Sequence, residues 1–147
     1  AGAEVPLRAE VGGITVEGRA DRIDRHADGQ LRILDYKTGK VPNQADFEAG
    51  RFRQLPLLRL LAETSPPAEL APATVAVLEY WKLAGGRSGG KRSGAGWNID
   101  RSAFAADFSG LLHRYLLGAA PFRPKIAPAY ARQYRSFDQL ARIEEWL

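Results

Sequence analysis

The chain has 147 residues, 45% of them hydrophobic and 26% charged, and its formal charge of +4 divides into −2 over residues 1–50 and +6 over residues 51–147. Such a chain is long enough for one buried core and short for two, and its composition excludes wholesale disorder, a fibrous repeat and a disulfide scaffold. With no cysteine and no apolar run near ~18 residues, it offers no disulfide, no thiol nucleophile, no thiolate-held metal centre and no membrane-spanning helix.

The N-terminal third reads as three strands, Glu4 to Val11, Ile14 to Arg25 and Leu31 to Lys37, separated by the turn signals Gly12-Gly13 and Ala27-Asp28-Gly29. From Gln44 to Glu63 the period changes: Phe47, Gly50, Gln54, Leu58 and Leu61 recur at spacings of three and four, which predicts one helix kinked by Pro56 and ended by Thr64-Ser65-Pro66-Pro67. Thr74 to Leu83 is β-rich and reads as the next strand. Residues 84–96 hold glycine, serine, alanine and three cations with no large apolar side chain until Trp97, the composition of a surface loop. Ser102 to Leu117 reads as a second long helix, capped by Ser102 or Asp100. The segment at 121–128 is too rich in proline to be regular, and Ser136 to Leu147 predicts a last short helix. The order describes one mixed α/β domain over residues 1–147, a central β-sheet flanked by helices. The first ten residues do not read as a secretory signal, and the lack of methionine even at position 1 leads to the expectation of a fragment of a longer cytoplasmic protein.

The second hairpin carries the chemistry. A three-residue loop with Gly29 in the left-handed position pairs His26 with Gln30, Ile23 with Ile33 and Asp24 with Arg32, and sets Asp21 opposite Asp35. A two-residue Asp28-Gly29 turn would shift the register by one and turn Asp21 to the other face. In the first register two carboxylates face each other and repel unless a cation lies between them, and Lys37, two residues past Asp35, points to the same side. Hard carboxylate oxygens suit Mg²⁺ or Mn²⁺, and an ammonium suits the negative charge that develops on a phosphoryl group under attack, so the chemistry implied is phosphodiester hydrolysis. The plain alternative is that Asp21 and Asp35 are strand-end residues paired with Arg19, Arg22 or Lys37.

The strings GRADRID at 18–24, LRILDYKTGK at 31–40 and RQLPLL at 53–58 together resemble the core of the PD-(D/E)XK nuclease superfamily, and in particular the RecB-like nuclease domains at the C-terminal end of AddB subunits in bacterial AddAB helicase–nucleases. The resemblance runs from about Val5 to Leu61, and the later strand and helix fit the rest of a restriction-endonuclease-like fold. It implies a Mg²⁺-dependent exonuclease domain that acts on DNA, on a single strand fed from an unwound duplex, during double-strand-break processing in recombinational repair, with an AddA-like partner subunit. It makes Asp21 and Asp35 the metal-binding acids, with the Tyr36 backbone carbonyl as a third ligand. Lys37 becomes the catalytic lysine that orients and activates the attacking water, and Gln54 the glutamine of the helix motif that supports the site or touches DNA.

Three departures accompany it. Leu58 stands where the helix motif often has tyrosine, and the four cysteines of the iron–sulfur cluster common in AddAB-type domains are absent. The Glu or His that the family commonly supplies from an upstream helix is also missing, and Glu17 lies about 13 Å along the strand from Asp21, too far to share an ion. An incomplete site, with weak metal binding and weak activity, is therefore expected of these residues.

Arg51, Arg53 and Arg59 on the first helix, with Lys82, Arg87, Lys91 and Arg92 near the glycine-rich stretch, form a candidate DNA-binding set, each also explicable as a solvated surface cation. Trp81, Trp97 and Tyr80 fit either a core or a stacking surface for unpaired bases. His26 and His113 read as surface or structural residues, and Thr38-Gly39-Lys40 lacks the glycine-rich pattern of a nucleotide-binding loop. The rival to an active enzyme is a nuclease-like module that only binds DNA or scaffolds a partner subunit.

Overall fold

A computed structural model describes residues 2–84 and 89–121; Arg87, the stretch 122–128 and the expected helix Ser136 to Leu147 lie outside the described residues. The chain divides into two compact units, Ala1–Gly110 and Leu111–Leu147. In the first, five strands form one mixed sheet in sequence order: β1 (Gly2–Val11), β2 (Ile14–Arg25), β3 (Leu31–Lys37), β4 (Val75–Lys82) and β5 (Lys91–Ser93). β1 to β3 are the antiparallel meander that the turn signals predict, β4 runs parallel to β3, and β5 returns antiparallel to β4.

Turn chemistry fixes the two hairpins. Gly12 and Gly13 both take positive φ, 58° and 77°, as a tight two-residue hairpin turn requires. Gly29 takes φ 85°, the His26 N–H donates to the Gln30 carbonyl at 2.8 Å, and the Gly29 N–H donates to the His26 carbonyl at 3.0 Å. This is the three-residue loop with its bulge glycine, and it sets Ile23 against Ile33 and Asp24 against Arg32.

The helix expected over 44–63 is two helices, α1 (Gln44–Glu48) and α2 (Gln54–Thr64). Gly50, which fits the apolar stripe in sequence, is instead the left-handed residue that ends α1: its N–H donates to the Phe47 carbonyl and the Arg51 N–H donates to the Asp46 carbonyl, closing a Schellman motif. The new start puts Pro56 in the first turn of α2, where its missing N–H has no intrahelical partner to lose, so it causes no kink. α2 lies against the sheet through Leu55, Leu58, Leu61 and Ala62. At Gly18 of β2 a Cβ would stand only 3.1 Å from Leu58, so α2 approaches there more closely than a larger residue would permit. Ile23, Leu31, Ile33, Leu34, Phe47 and Val75 complete a core sealed from water on β2, β3, β4 and α1.

The glycine-rich stretch also differs from expectation, because β5 lies within it. Its glycines allow close backbone approach: a Cβ on Gly94 would stand 2.6 Å from the Leu78 carbonyl oxygen, and one on Gly90 would stand 2.7 Å from that of Lys82. Asp100 rather than Ser102 caps α3 (Arg101–Leu112), its Oδ1 accepting from the Ala103 N–H at 2.6 Å. In the second unit the helix continues as a π-helical turn, His113–Leu117, where an α-helix is expected. Among the described residues no helix is long and apolar enough to cross a membrane.

Candidate active site

Regular pairing of β2 with β3 ends at Arg22 and Leu34, and one step further the same register aligns Asp21 with Asp35. There the Asp21 side chain takes over from the backbone ladder: its Oδ2 accepts from the Tyr36 N–H at 2.8 Å. Asp35 sits in the middle of the sheet beside Tyr80 of β4, and it is only 2% exposed. Lys37, two residues on and on the same face, donates from Nζ to Asp35 Oδ1 at 3.1 Å. Nζ also stands 2.8 Å from Oδ2, but without hydrogen-bond geometry, so Oδ2 is a buried carboxylate oxygen with no hydrogen-bond partner among the described residues. Gln54, the first residue of α2, accepts from Lys37 Nζ on its Oε1 at 2.8 Å. Asp35, Lys37 and Gln54 are thus one connected group, with Asp21 tied to it through the Tyr36 backbone.

Burial is the main influence on Asp35 and pushes its pKa above the ordinary carboxylate value; Lys37 opposes this, the negative charge of Asp21 adds to it, and Gln54 favours the ionised form. Tyr80 shares the environment. Its hydroxyl is buried without a hydrogen-bond partner among the described residues, and burial together with the Asp35 charge pushes its pKa far up, so it stays a neutral phenol. The ring belongs to the core, packed edge-on to Phe47 at 6.3 Å. Sequence reading finds this tyrosine as a β-rich strand residue; its place beside Asp35 needs the β3–β4 register.

The donor set suits a hard divalent cation. Asp21 and Asp35 supply carboxylate oxygens, one of them buried in ion-pair contact with Lys37 but with no hydrogen-bond partner among the described residues, and a backbone carbonyl such as that of Tyr36 is an oxygen of the same kind. Among the described residues no His, Cys, Asp or Glu makes a third side-chain partner to the pair. Glu17 is spent at the surface on Arg8, 3.4 Å away. A cleft of about 740 Å³ beside Pro6, Glu17 and Pro66 includes none of the four converging residues.

The candidate DNA-binding cations divide sharply. Arg59 is buried and donates to the Ile99 carbonyl at 3.0 Å, which makes it a strut between α2 and the start of α3 and removes it from the surface set. Arg51 pairs with Asp46, and Arg53 pairs with Asp107 at 2.6 Å. Arg92 lies with its guanidinium 5.6 Å from the Trp81 ring centre, and Trp81 is its partner across the β4–β5 ladder. Lys82 and Lys91 pair with each other one residue along, and the alternation of a strand turns them to the face opposite Arg92. His26 is exposed at the hairpin and His113 is exposed in the π-helical turn, as read from the sequence.

Among protein families, residues 1–146 match the PD-(D/E)XK nuclease superfamily. The chain belongs to that superfamily. The mixed five-stranded sheet with its helices is accordingly the α/β restriction-endonuclease-like architecture of PD-(D/E)XK proteins, whose members are nucleases that act on nucleic acid and generally use divalent metals. No curated protein matches the chain.

Proposed function

We propose that this PD-(D/E)XK chain is a Mg²⁺-dependent deoxyribonuclease domain, with Asp21 and Asp35 as the metal-binding acids, Lys37 as the catalytic lysine and Gln54 as its positioning residue. One observation carries the reading: a buried carboxylate, an ammonium hydrogen-bonded to it and a glutamine holding that ammonium meet at the point where a second carboxylate replaces the β2–β3 ladder. Asp21, Asp35 and the Tyr36 carbonyl would hold Mg²⁺, or Mn²⁺ in its place. When bound, such an ion supplies Lewis acidity toward a phosphoryl oxygen and lowers the pKa of water.

The remaining work falls to the chain's own groups. Lys37 brings fixed positive charge to the place where the phosphoryl oxygens and the attacking water carry developing negative charge, and it orients that water through its N–H donors. Gln54 holds the ammonium against free rotation, so little reorganisation is needed as charge develops. Asp35, kept from solvent, presents its carboxylate in a low-dielectric setting where each charge interaction is stronger than in water.

The strings GRADRID, LRILDYKTGK and RQLPLL favour a finer reading. The domain would belong to an AddB-like subunit working in the cytoplasm beside an AddA-like helicase, cutting as an exonuclease a single DNA strand released during double-strand-break processing. The chain has no cysteine, so it holds no iron–sulfur cluster of its own. The test is cleavage by the full-length protein carrying Asp35→Ala or Lys37→Ala: loss of Mg²⁺-dependent cleavage with an unchanged circular dichroism spectrum is expected, and cleavage retained in either variant removes the assignment.

A further inference from the structure

Where charged residues face each other on β1 to β3, a cation meets an acid. Arg8 is opposite Glu17 on β1 and β2, and Arg32 is opposite Asp24 on β2 and β3. At the far end of β3 and β4 the pattern reverses: Lys37 pairs with Lys82, and Lys82 pairs with Lys91, three ammonium groups in a row over three adjacent strands. Like charges directly opposite on a ladder destabilise it. Lys37 is compensated by Asp35 and Gln54, but Lys82 and Lys91 have no acidic partner among the described residues. Both line a cleft of about 490 Å³, together with Lys40, Asn43, Gln44 and Trp97. Trp97 is half-buried, with its ring held 5.6 Å from Phe47 and 6.4 Å from Tyr80, so the aromatic cluster that packs beside Asp35 also fixes the indole in the cleft wall.

We propose that this cleft seats a single-stranded polynucleotide next to the scissile phosphate, with Lys40, Lys82 and Lys91 on its phosphates and Trp97 against an unpaired base; the proposal rests on the nuclease reading of Asp35 and Lys37. The lysine row lies two residues, about 7 Å, along the strands from the row that holds Asp35 and Tyr80. A polyanion crossing β4 and β5 would therefore relieve the lysine repulsion and arrive at the carboxylates. The volume falls within the range of about 300–1,000 Å³ typical of ligand sites, room for a nucleotide or two rather than for a duplex. Away from its ends a duplex covers both faces of every base, so an indole in the cleft wall favours a single strand over paired DNA.

The test measures binding apart from cutting: fluorescence anisotropy of a labelled oligo(dT), the same oligonucleotide with abasic sites, and a blunt duplex of equal length, with the complete protein in chelator over a salt series. The double variant Lys82→Ala/Lys91→Ala should bind oligo(dT) about tenfold more weakly, and its plot of log affinity against log salt should be shallower by about 1.4, two single-strand phosphate contacts at about 0.7 each. Trp97→Leu, which keeps apolar bulk against Phe47 and Tyr80, should lose about fivefold or more on oligo(dT) and nothing on the abasic strand. Arg92→Ala, on the opposite face, should leave all three affinities unchanged. An unchanged salt slope in the double variant, an equal loss on the duplex, or an equal Trp97→Leu loss on the abasic strand would overturn the proposal. Because no cleavage enters the readout, a failed hydrolytic assignment at Asp35 gives a separate result.

Discussion

Asp24 and Asp35 stand on neighbouring strands of one sheet, yet their charges are settled in opposite ways. Asp24 accepts from Arg22 at 2.8 Å on one oxygen and from Arg32 at 2.9 Å on the other, while Glu79 nearby accepts from the Trp81 indole at 2.7 Å. Two acids meet two guanidinium groups, and although burial works against the Asp24 carboxylate, the two arginines hold its pKa below the ordinary value. Asp35 is more deeply buried, has a single lysine, feels a second carboxylate and, among the described residues, has one oxygen that touches that lysine without a hydrogen bond. In the first cluster both oxygens of Asp24 are answered, and the buried atom without a hydrogen-bond partner among the described residues is a donor, the Arg32 Nε, which offers nothing to a cation. The second is left short of positive charge and of donors, which suits a place for a cation and a phosphate.

The sharpest way to break this contrast is to neutralise each acid. Asp35→Asn should reduce cleavage by about 10³-fold or more. It should not lower the melting temperature: a pKa raised by burial means that the proton favours the folded state, so ionised Asp35 weighs against stability at neutral pH and an amide relieves it. A variant that melts much earlier would show Asp35 to be structural, like Asp24. Lys37→Ala should follow at about 10²-fold in single-turnover rate, with the fold intact.

Asp24→Ala should do the reverse. It leaves Arg32 partly buried without its main partner, at a cost of about 1–2 kcal/mol once the half-exposed Arg22 is discounted for solvent screening, while cleavage per folded molecule stays the same. The Asp24 contribution is present above the pKa of an unfolded aspartate and is lost as pH falls through its lower folded value, so urea midpoints of wild type and variant should converge in acid. The smallest effect is expected at Gln54: Gln54→Ala should slow cleavage about tenfold by releasing Lys37, with little change in substrate affinity.

How much of this was legible in the sequence depended on how local the signal was. Gly29 and the pairs Ile23/Ile33 and Asp24/Arg32 fix the hairpin register within a dozen residues, and from that register the facing of Asp21 and Asp35 follows. Gly50 misleads because a helix-ending glycine and a stripe glycine share the same spacing; only the Phe47 and Asp46 carbonyls decide which it is. β5 is hidden because Gly90 and Gly94, which flank it, serve close packing against β4, while the composition of the stretch is that of a loop. Arg59 shows the limit of reading charge as surface, since its guanidinium is drawn inward by the Ile99 carbonyl forty residues away. The lysine row and the position of Tyr80 beside Asp35 need the registers of β3, β4 and β5 together, which no single stretch of sequence contains.

The central claim is that Asp21 and Asp35 jointly form a divalent-metal site. Calorimetric titration of the complete protein with Mn²⁺, repeated on Asp21→Asn and Asp35→Asn, tests it most directly. A saturable heat in the wild type, absent from both variants and fading on acidification at a higher pH than an ordinary aspartate would give, is the predicted result. An undiminished heat in either variant, or none in the wild type, would contradict it.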